Sequence, residues 1–575
     1  MAINARERRR NFEIMRGELL KERQTFISHW RDIGDYILPR RPTFNLTDTN
    51  KGDRRNLKII DSTATLSSRT LASGMVSHVT SPARQWFKLS VADARMRDIG
   101  AVKDWLHTVT KRMSAVFLQS NIYNSLPTLY GDMSVFGTGA MLVEEDFDHV
   151  IRTYVFPIGS YMIAANDKGL IDVFMREFRL TVRQLVQKFG ERDENGNLKW
   201  DNFSTQVKNL YDRGLHDTWI DILHVIQPNK NYNPKILTSK KYESVYYERG
   251  ISGHSSNLNT QETDVYLRDR GYDYFPVLVV RWETTGEDVY GTWCPGMAAL
   301  GDVKALQTMQ KRKAQAIEKM INPAMVAPSM MKTLRTSILP GDITYVDERE
   351  GMKGFRPAHE VNVRIAELTQ DILDHQKRIQ RAFYENLFLM LAMTDRREIT
   401  ATEVNERKEE KLIALGPVLE QLNLELLDPL IDITFNIMLK QDMIPEPPPE
   451  LSGQKLKVEY ISILHQAQKL TGLVGIEKLI RFAGEVAQYD PSVLDKIDRD
   501  QAIDEVADIT GVPPRIVVPD EVVAKIRQTR AQQQAAAQQV AMMQGVAGAA
   551  KDLGKADLQK NTALTALLQQ GAQGA

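Results

Sequence analysis

The region that most restricts how this chain can fold runs from residue 297 to residue 440. Residues 297–321 read as one helix, stopped by Asn322 and Pro323. An irregular stretch follows, rich in Pro323, Pro328, Pro340, Pro357, Gly341, Gly351 and Gly354. A second long helix is expected over residues 363–391. Its apolar residues Ile365, Leu368, Ile372, Ile379, Phe383, Leu387 and Met390 fall on one stripe. After a break at 393–399, a third helix is expected from Thr400 to about Lys440. Leu412, Leu415, Leu419, Leu422 and Leu426 line one side of it, and Pro417 and Pro429 inside the run predict a kink. At 1.5 Å per residue the first two helices would be about 37 and 43 Å long. The irregular segment lets them lie antiparallel. One apolar stripe per helix is too little to bury such a pair within one subunit, which points to packing between subunits. Lys304, Lys311, Arg312, Lys313 and Lys319 make the first helix basic, whereas the second mixes Arg364, Lys377, Arg378 and Arg381 with Glu367, Asp371, Asp374 and Glu385.

Before this series the pattern is mixed. Helices are expected at 5–38, 60–80, 102–118 and 122–135, the second capped by Asp61, Ser62 and Thr63. From Gly139 the texture changes to short strands at 140–143, 150–156, 160–164, 170–174, 219–226, 242–248, 264–267 and 275–282, with a helix at 182–189. Asp193, Glu194, Asn195 and Gly196 read as a turn rather than a calcium loop, because no distal Glu follows at loop spacing. Beyond the stiff Pro445–Pro449 linker, residues 454–510 suggest a small helical domain. Of the 48 residues in 528–575, 24 are Gln or Ala, which suits a helix but gives it little to bury alone. The expected fold class is therefore α+β and helix-dominated.

Composition removes several functions. The single Cys294 excludes a disulfide framework and any multi-cysteine metal site, and fits a reducing, cytosolic origin. Basic and acidic residues balance at 74 each, which argues against a surface that grips nucleic acid throughout but not against a locally charged channel. No apolar run is long enough to span a membrane, and the N-terminus lacks the apolar core of a signal peptide. There is no phosphate-binding Gly-x-x-x-x-Gly-Lys-Ser/Thr and no His-Glu-x-x-His. Gly137-Thr138-Gly139 leads into a strand and reads as a turn. Cys294 reads as a packed small residue, and Trp86 and Phe87 as core. No catalytic constellation, cofactor site or metal site is visible, so no enzyme is expected.

At this point the sequence resembles the portal proteins, the head-to-tail connectors of short-tailed bacteriophages. The matching residues are Asp61-Ser62-Thr63-Ala64, Leu71 to Met75, Thr80 to Leu89, Phe136 to Ala140, Phe174-Met175-Arg176, Leu180-Thr181 with Gln184-Leu185, Tyr290 to Gly296 with Ala299-Leu300, and Ile399 to Val404. The resemblance implies a ring, typically of twelve copies, at one capsid vertex. By region it implies a wing (1–295, with an inserted β-rich unit at about 140–290), stem helices (296–321 and 363–391) and a clip (322–362). It further implies a channel loop (392–399), a kinked helix (400–442), a crown (443–527) and a tail (528–575) left open between a helical barrel and disorder. Candidate channel-loop residues are Met393, Thr394, Asp395, Arg396, Arg397 and Glu398. Lys304, Lys311, Arg312 and Lys319 are candidates for a channel-facing stem, and Pro328, Arg335, Asp347, Arg349 and Lys353 for the docking clip.

The implied partners are other copies of the chain, double-stranded DNA in the bore, a large terminase, major capsid and scaffold proteins, a tail adaptor or nozzle, and internal core proteins at the crown. The implied place is the virion, after assembly in the bacterial cytoplasm. Two other readings stay open on the residues alone: a non-ring scaffold or DNA-binding adaptor using its coiled-coil-like helices, and an enzyme hidden in the β-rich region.

Overall fold

The structure, a computed structural model, describes residues 5–45, 52–91, 93, 96, 99–236, 239–251, 265–326, 332, 356–357, 364–393, 415–451, 456–460, 463–487, 496–510, 518 and 520–553. Two compact units emerge. One comprises Met1–Leu89, Thr108–Glu446 and Val458–Lys469, the other Ser90–His107, Pro447–Lys457 and Leu470–Ala575.

Helices α1 (Ala5–Tyr36) and α2 (Thr63–His78) precede β1 (Phe87–Val91), α3 (Gly100–Gln119) and α4 (Ile122–Phe136), and all of these belong to the first unit except Ser90–His107, the end of β1 and the start of α3. Trp86 and Phe87 are buried and pack with Phe117, at 5.8 and 5.7 Å between ring centroids, so they are core as the sequence suggests. Strands β2 (Thr138–Asp146), β3 (Val150–Phe156) and β9 (Val277–Arg281) form a three-stranded sheet in the order β3-β2-β9. A five-stranded antiparallel sheet contains β4 (Tyr161–Ala165), β5 (Ile171–Thr181), β6 (Trp219–Pro228), β7 (Tyr242–Ile251) and β8 (Arg268–Tyr272), in that order.

Strand alternation gives the larger sheet two different faces. Met162, Met175, Leu223, Val225, Val245 and Tyr247 point to one side, where Phe12 and Leu19 of α1 close the core. Ile220, Ile222 and Tyr246 point to the other and pack against α5 (Val182–Phe189) and α6 (Thr205–Asp212). Helix α5 starts with a reciprocal capping box between Thr181 and Gln184. The turn at Asp193 is an Asx turn, in which the carboxylate accepts from the Asn195 and Asn197 amides, with Gly196 at φ +81°. Two details depart from the sequence expectation. The strand expected at 264–267 forms instead at β8, where its residues pair with β7, and the short apolar signal of α6 had gone unread.

The long helices follow. Helix α7 (Pro295–Ile321) packs along α8 (Ile365–Ala382), and β10 (Met325–Val326) pairs antiparallel with β11 (Arg356–Pro357), so the ends of the irregular segment are tied together. The second helix is not continuous to 391, as its stripe had suggested. It stops at Phe383, Tyr384 takes φ +54°, and α9 (Glu385–Met393) starts afresh. The break is held in place because Phe383 is buried, Tyr384 stacks on Trp282 at 6.3 Å, and Phe388 presses onto α2 where Gly74 leaves room. A Cβ on Gly74 would lie 2.4 Å from the Phe388 ring.

The kink expected from Pro417 and Pro429 takes a definite form. Pro417 lies in the first turn of α10 (Gly416–Leu422). A π turn (Asn423–Leu427) then leads into α11 (Asp428–Lys440), with the Asp428 amide donating to the Asn423 carbonyl. Pro429 has no N–H and its ring would strike the carbonyl four residues back. The wider turn removes that conflict. Residues 400–414 of the expected helix lie outside the described residues.

The second unit contains most of α12 (Ile463–Val486), together with α13 (Arg499–Thr510) and the long α14 (Asp520–Leu553). Arg527 on α14 makes a bidentate pair with Asp500 on α13, at 2.6 and 2.7 Å. Helix α14 begins ahead of the Gln/Ala-rich stretch, and residues 528–538 are exposed throughout. No helix among the described residues is long and apolar enough to cross a membrane.

Candidate assembly and channel region at the stem helices

Two of the pieces that carry the family resemblance, Phe136 to Ala140 and Tyr290 to Gly296, meet at the root of α7. Gly137 caps α4 with φ +80°, so β2 can begin at once. Its carbonyl accepts the Trp282 amide at 3.0 Å and would lie 2.0 Å from a Cβ on Gly291. The Gly291 amide donates to Thr138 Oγ1 at 2.8 Å. Gly296, in the first turn of α7, passes so close to Val135 that a Cβ would sit 2.3 Å from its carbonyl oxygen. Both segments therefore need glycine because two backbones touch. Cys294 is the residue before α7. Its thiol donates to the Val135 carbonyl at 3.3 Å, and burial pushes its pKa up to about 12, which makes it a packing residue. Tyr290 of the same segment packs against Phe26 and Trp30 of α1, both at 5.1 Å.

A second junction ties α2 to both α7 and α8. One Asp61 oxygen accepts the Thr63 amide at 2.9 Å and the Thr63 hydroxyl at 2.5 Å, capping α2. The other accepts from Gln310 of α7 at 3.1 Å and Gln376 of α8 at 2.8 Å. Gln307 returns the contact. Its Oε1 accepts the Ile60 and Asp61 amides, both at 2.7 Å, and its Nε2 donates to the Asp61 carbonyl. Burial would raise the Asp61 pKa, but the Thr63, Gln376 and Gln310 hydrogen bonds outweigh it and hold the carboxyl below its usual range. Asp302 on α7 joins His375 of α8 at 2.8 Å and Arg378 at 3.5 Å. Ser67 of α2 donates to Glu385 of α9 at 2.6 Å.

The buried Arg281–Glu425 pair holds the π turn against β9. The Arg281 amide and Nε each donate to Glu425 at 2.8 Å, and Nη2 also reaches the same carboxylate. Gln421 adds a bond at 2.7 Å, and Arg281 Nη2 donates to the Gly169 carbonyl at 2.8 Å. Burial raises the Glu425 pKa and Arg281 opposes that rise.

The candidate stem residues are placed as follows. Lys304 is bound to Asp32 at 2.7 Å and lies over the Tyr36 ring at 5.5 Å, so α1 engages its charge. Lys311, Arg312 and Lys319 are exposed and form no ion pair among the described residues. Beyond them apolar surface is exposed: Met320, Ile321 (79 % exposed), Met325 and Val326. Met393 is the last residue of α9. Thr394, Asp395, Arg396, Arg397, Glu398, Pro328, Arg335, Asp347, Arg349 and Lys353 lie outside the described residues.

Sequence reasoning named Asp61 as a helix cap and as part of a stretch that resembles the family, and missed Gln307, Gln310 and Gln376. Neutral amides on a helix carry no periodic signal; only their spacing of three on α7 hinted at a shared face. Among the described residues one group has metal-like donors, Asp146, Asp148 and His149 at the β2–β3 turn. Arg152 already lies 3.8 Å from Asp146, and nothing further points to an ion there.

Residues 13–517 match the family described as "Bacteriophage head to tail connecting protein". The chain is 48 % identical over 552 residues to the portal protein of Salmonella phage epsilon15, covering 96 % of each. It is 41 % identical over 551 residues to the probable portal protein of Bordetella phage BPP-1, again covering 96 % of each. A solved chain from the virion of a native gene transfer agent particle aligns at 10 % identity and a TM-score of 0.29, covering 66 % of this chain and 86 % of that one, too distant to carry any argument. With matches of this length to its sequence relatives, the chain belongs to the bacteriophage head to tail connecting protein family.

Proposed function

We propose that copies of this chain close into a ring that serves as the portal at one capsid vertex, the conduit for double-stranded DNA during packaging and ejection. The observation that carries this reading is the stem pair. The family match covers it, its root is locked by the chain's own backbone, and the far end of α7 leaves apolar and basic surface uncovered. A neighbouring copy would cover the apolar part.

Duplex DNA carries one charge per about 1.7 Å, so a bore lined wholly with cations would hold it fast. Transit needs weak contacts of both signs. Repetition around the ring turns each bore-facing side chain into a ring of charge. Lys311, Arg312 and Lys319 would supply basic rings if they face the bore, and Asp395, Arg396 and Arg397 mixed ones. With no nucleotide-binding pattern in the sequence, the work of packaging falls to a separate large terminase docking on the clip at 322–362, later replaced by a tail adaptor. Capsid and scaffold proteins would meet the wing, and internal core proteins the crown. The chain then acts as structure rather than as an enzyme.

The transit role is tested by deleting residues 393–399. Rings should form as before while packaging or retention of DNA falls. Full packaging and full retention by that variant would contradict the role of the channel loop.

A further inference from the structure

The face of the five-stranded sheet that turns away from α1 holds an excess of positive charge. Arg176 of β5 lies between two aromatic rings, 4.3 Å from the centroid of Phe156 and 4.8 Å from that of Phe178. Its Nε is buried without a hydrogen-bond partner, and Arg176 pairs with no carboxylate among the described residues. Lys188, near the end of α5, sits over Phe178, Phe189 and Tyr246 at 5.9, 5.7 and 5.7 Å and likewise has no ion pair there. Arg268 of β8 lies 5.1 Å over Phe189 and donates only to the Lys188 carbonyl, at 3.0 Å. Burial, then Lys188, Arg176 and Arg268, drive the pKa of His224 far down. That imidazole, stacked on Tyr246 at 3.7 Å, stays neutral and adds no charge.

Lys188, Arg268 and Arg270 line one wall of a cavity of about 390 Å³, with Asn202, Glu191 and Asp269, a volume within the usual range for small-ligand sites, about 300–1,000 Å³. Asp269 is already taken: Arg8 of α1 holds both its oxygens, at 2.5 and 3.1 Å. Glu191 lines the same wall, and Glu144 of β2 lies within electrostatic reach of Lys188, yet neither forms an ion pair with Lys188 or Arg268 among the described residues. A neighbouring cavity is also lined by cations, Arg8, Lys230, Lys240 and Arg270, but there Arg8 pairs with Glu243 and Asp269, and Lys240 with Asp273.

We infer that the cavity lined by Lys188, Arg268, Arg270 and Asn202 binds a phosphate dianion, with Arg176 behind it adding to the field. Lys188 and Arg268 have no ion pair among the described residues, and guanidinium forks with an ammonium are the donor set that phosphate oxygens favour. The phosphate could be free or the terminal group of a nucleotide.

The test is calorimetric titration of the purified full-length protein, at constant ionic strength in chloride, with inorganic phosphate, AMP and adenosine. Saturable binding of phosphate or AMP at one site per chain is expected, with none for adenosine. Phosphate binding alone assigns free phosphate, and AMP binding alone assigns a nucleotide. Lys188→Gln, on an exposed side chain, should weaken binding at least tenfold with an unchanged circular dichroism spectrum. Lys230→Gln, lining the neighbouring cavity, should leave it unchanged. No saturable binding to the wild-type chain, binding of adenosine, or unaltered affinity in Lys188→Gln would each overturn the inference.

Discussion

The two halves of α7 are built on opposite terms. In the first, Pro295, Gly296, Ala299, Val303, Leu306 and Gln307 are buried within the chain's own fold. In the second, Lys311, Arg312, Lys319, Met320 and Ile321 are exposed. A lone helix keeps an apolar end in water only at a cost of about 25 cal/mol per Å². The difference separates what the chain needs in order to fold from what it offers to a neighbour. Substitutions in the first half and its supports should damage the single chain, whereas substitutions in the second should damage assembly.

The largest effect is expected at Arg281, which supports the π turn. Arg281→Met should cost about 3–5 kcal/mol in urea unfolding, because it strands the buried Glu425 carboxylate without its cation, leaving only the bonds from Gln421 and the backbone amide of residue 281. A loss below about 1 kcal/mol would mean that the turn does not depend on the pair. Next is Asp61→Ala, which removes the α2 cap and both glutamine contacts. It should cost about 2–3 kcal/mol and speed hydrogen exchange in α7 and α8 together. Faster exchange in α2 alone would show that Asp61 is a cap and nothing more.

A smaller effect is expected at Glu13, which accepts from Arg16, Tyr247 and Arg249 at 3.0, 2.9 and 3.2 Å. Burial would raise its pKa, but Arg249 and Arg16 outweigh it and hold it below the usual value. Its folded pKa lies below its unfolded one, so its contribution is full above the ordinary carboxylate pKa and is lost as pH falls through the folded value. Glu13→Gln should cost about 1 kcal/mol at pH 7 and flatten the acid limb of the stability curve. An acid limb that keeps its slope would remove Glu13 from that account. The smallest effect on folding is predicted for Met320→Ser with Ile321→Ser, within about 0.5 kcal/mol. The same double variant should assemble poorly. Normal rings from it would erase the contrast between the two halves.

Much of this arrangement was legible in the sequence. The first long helix, the start of the second and the kink near Pro429 follow from apolar spacing and proline placement, and helix 182–189 appears with the bounds read for it; most of the expected irregular segment and the break after Met393 lie outside the described residues. Three features were hidden for physical reasons. The break at Tyr384 comes from tertiary contacts, Phe388 against Gly74 and Tyr384 against Trp282, which an unbroken apolar stripe conceals. The π turn depends on a carboxylate finding Arg281, 144 residues away. The glutamine contacts on Asp61 use side chains with no periodic signature. Lys304 shows the limit of reading charge from sequence, since its partner Asp32 comes from a distant helix.

The central claim is that the chain becomes a portal by closing a ring around the uncovered end of α7. Its most direct test is the native mass of the purified full-length protein at micromolar concentration, with end-on electron images of the same sample. The account predicts a closed ring near twelve copies, about 785 kDa for a 65.4-kDa chain, with a bore that admits duplex DNA. A monomer or dimer that stays open even with capsid and scaffold proteins present would contradict it.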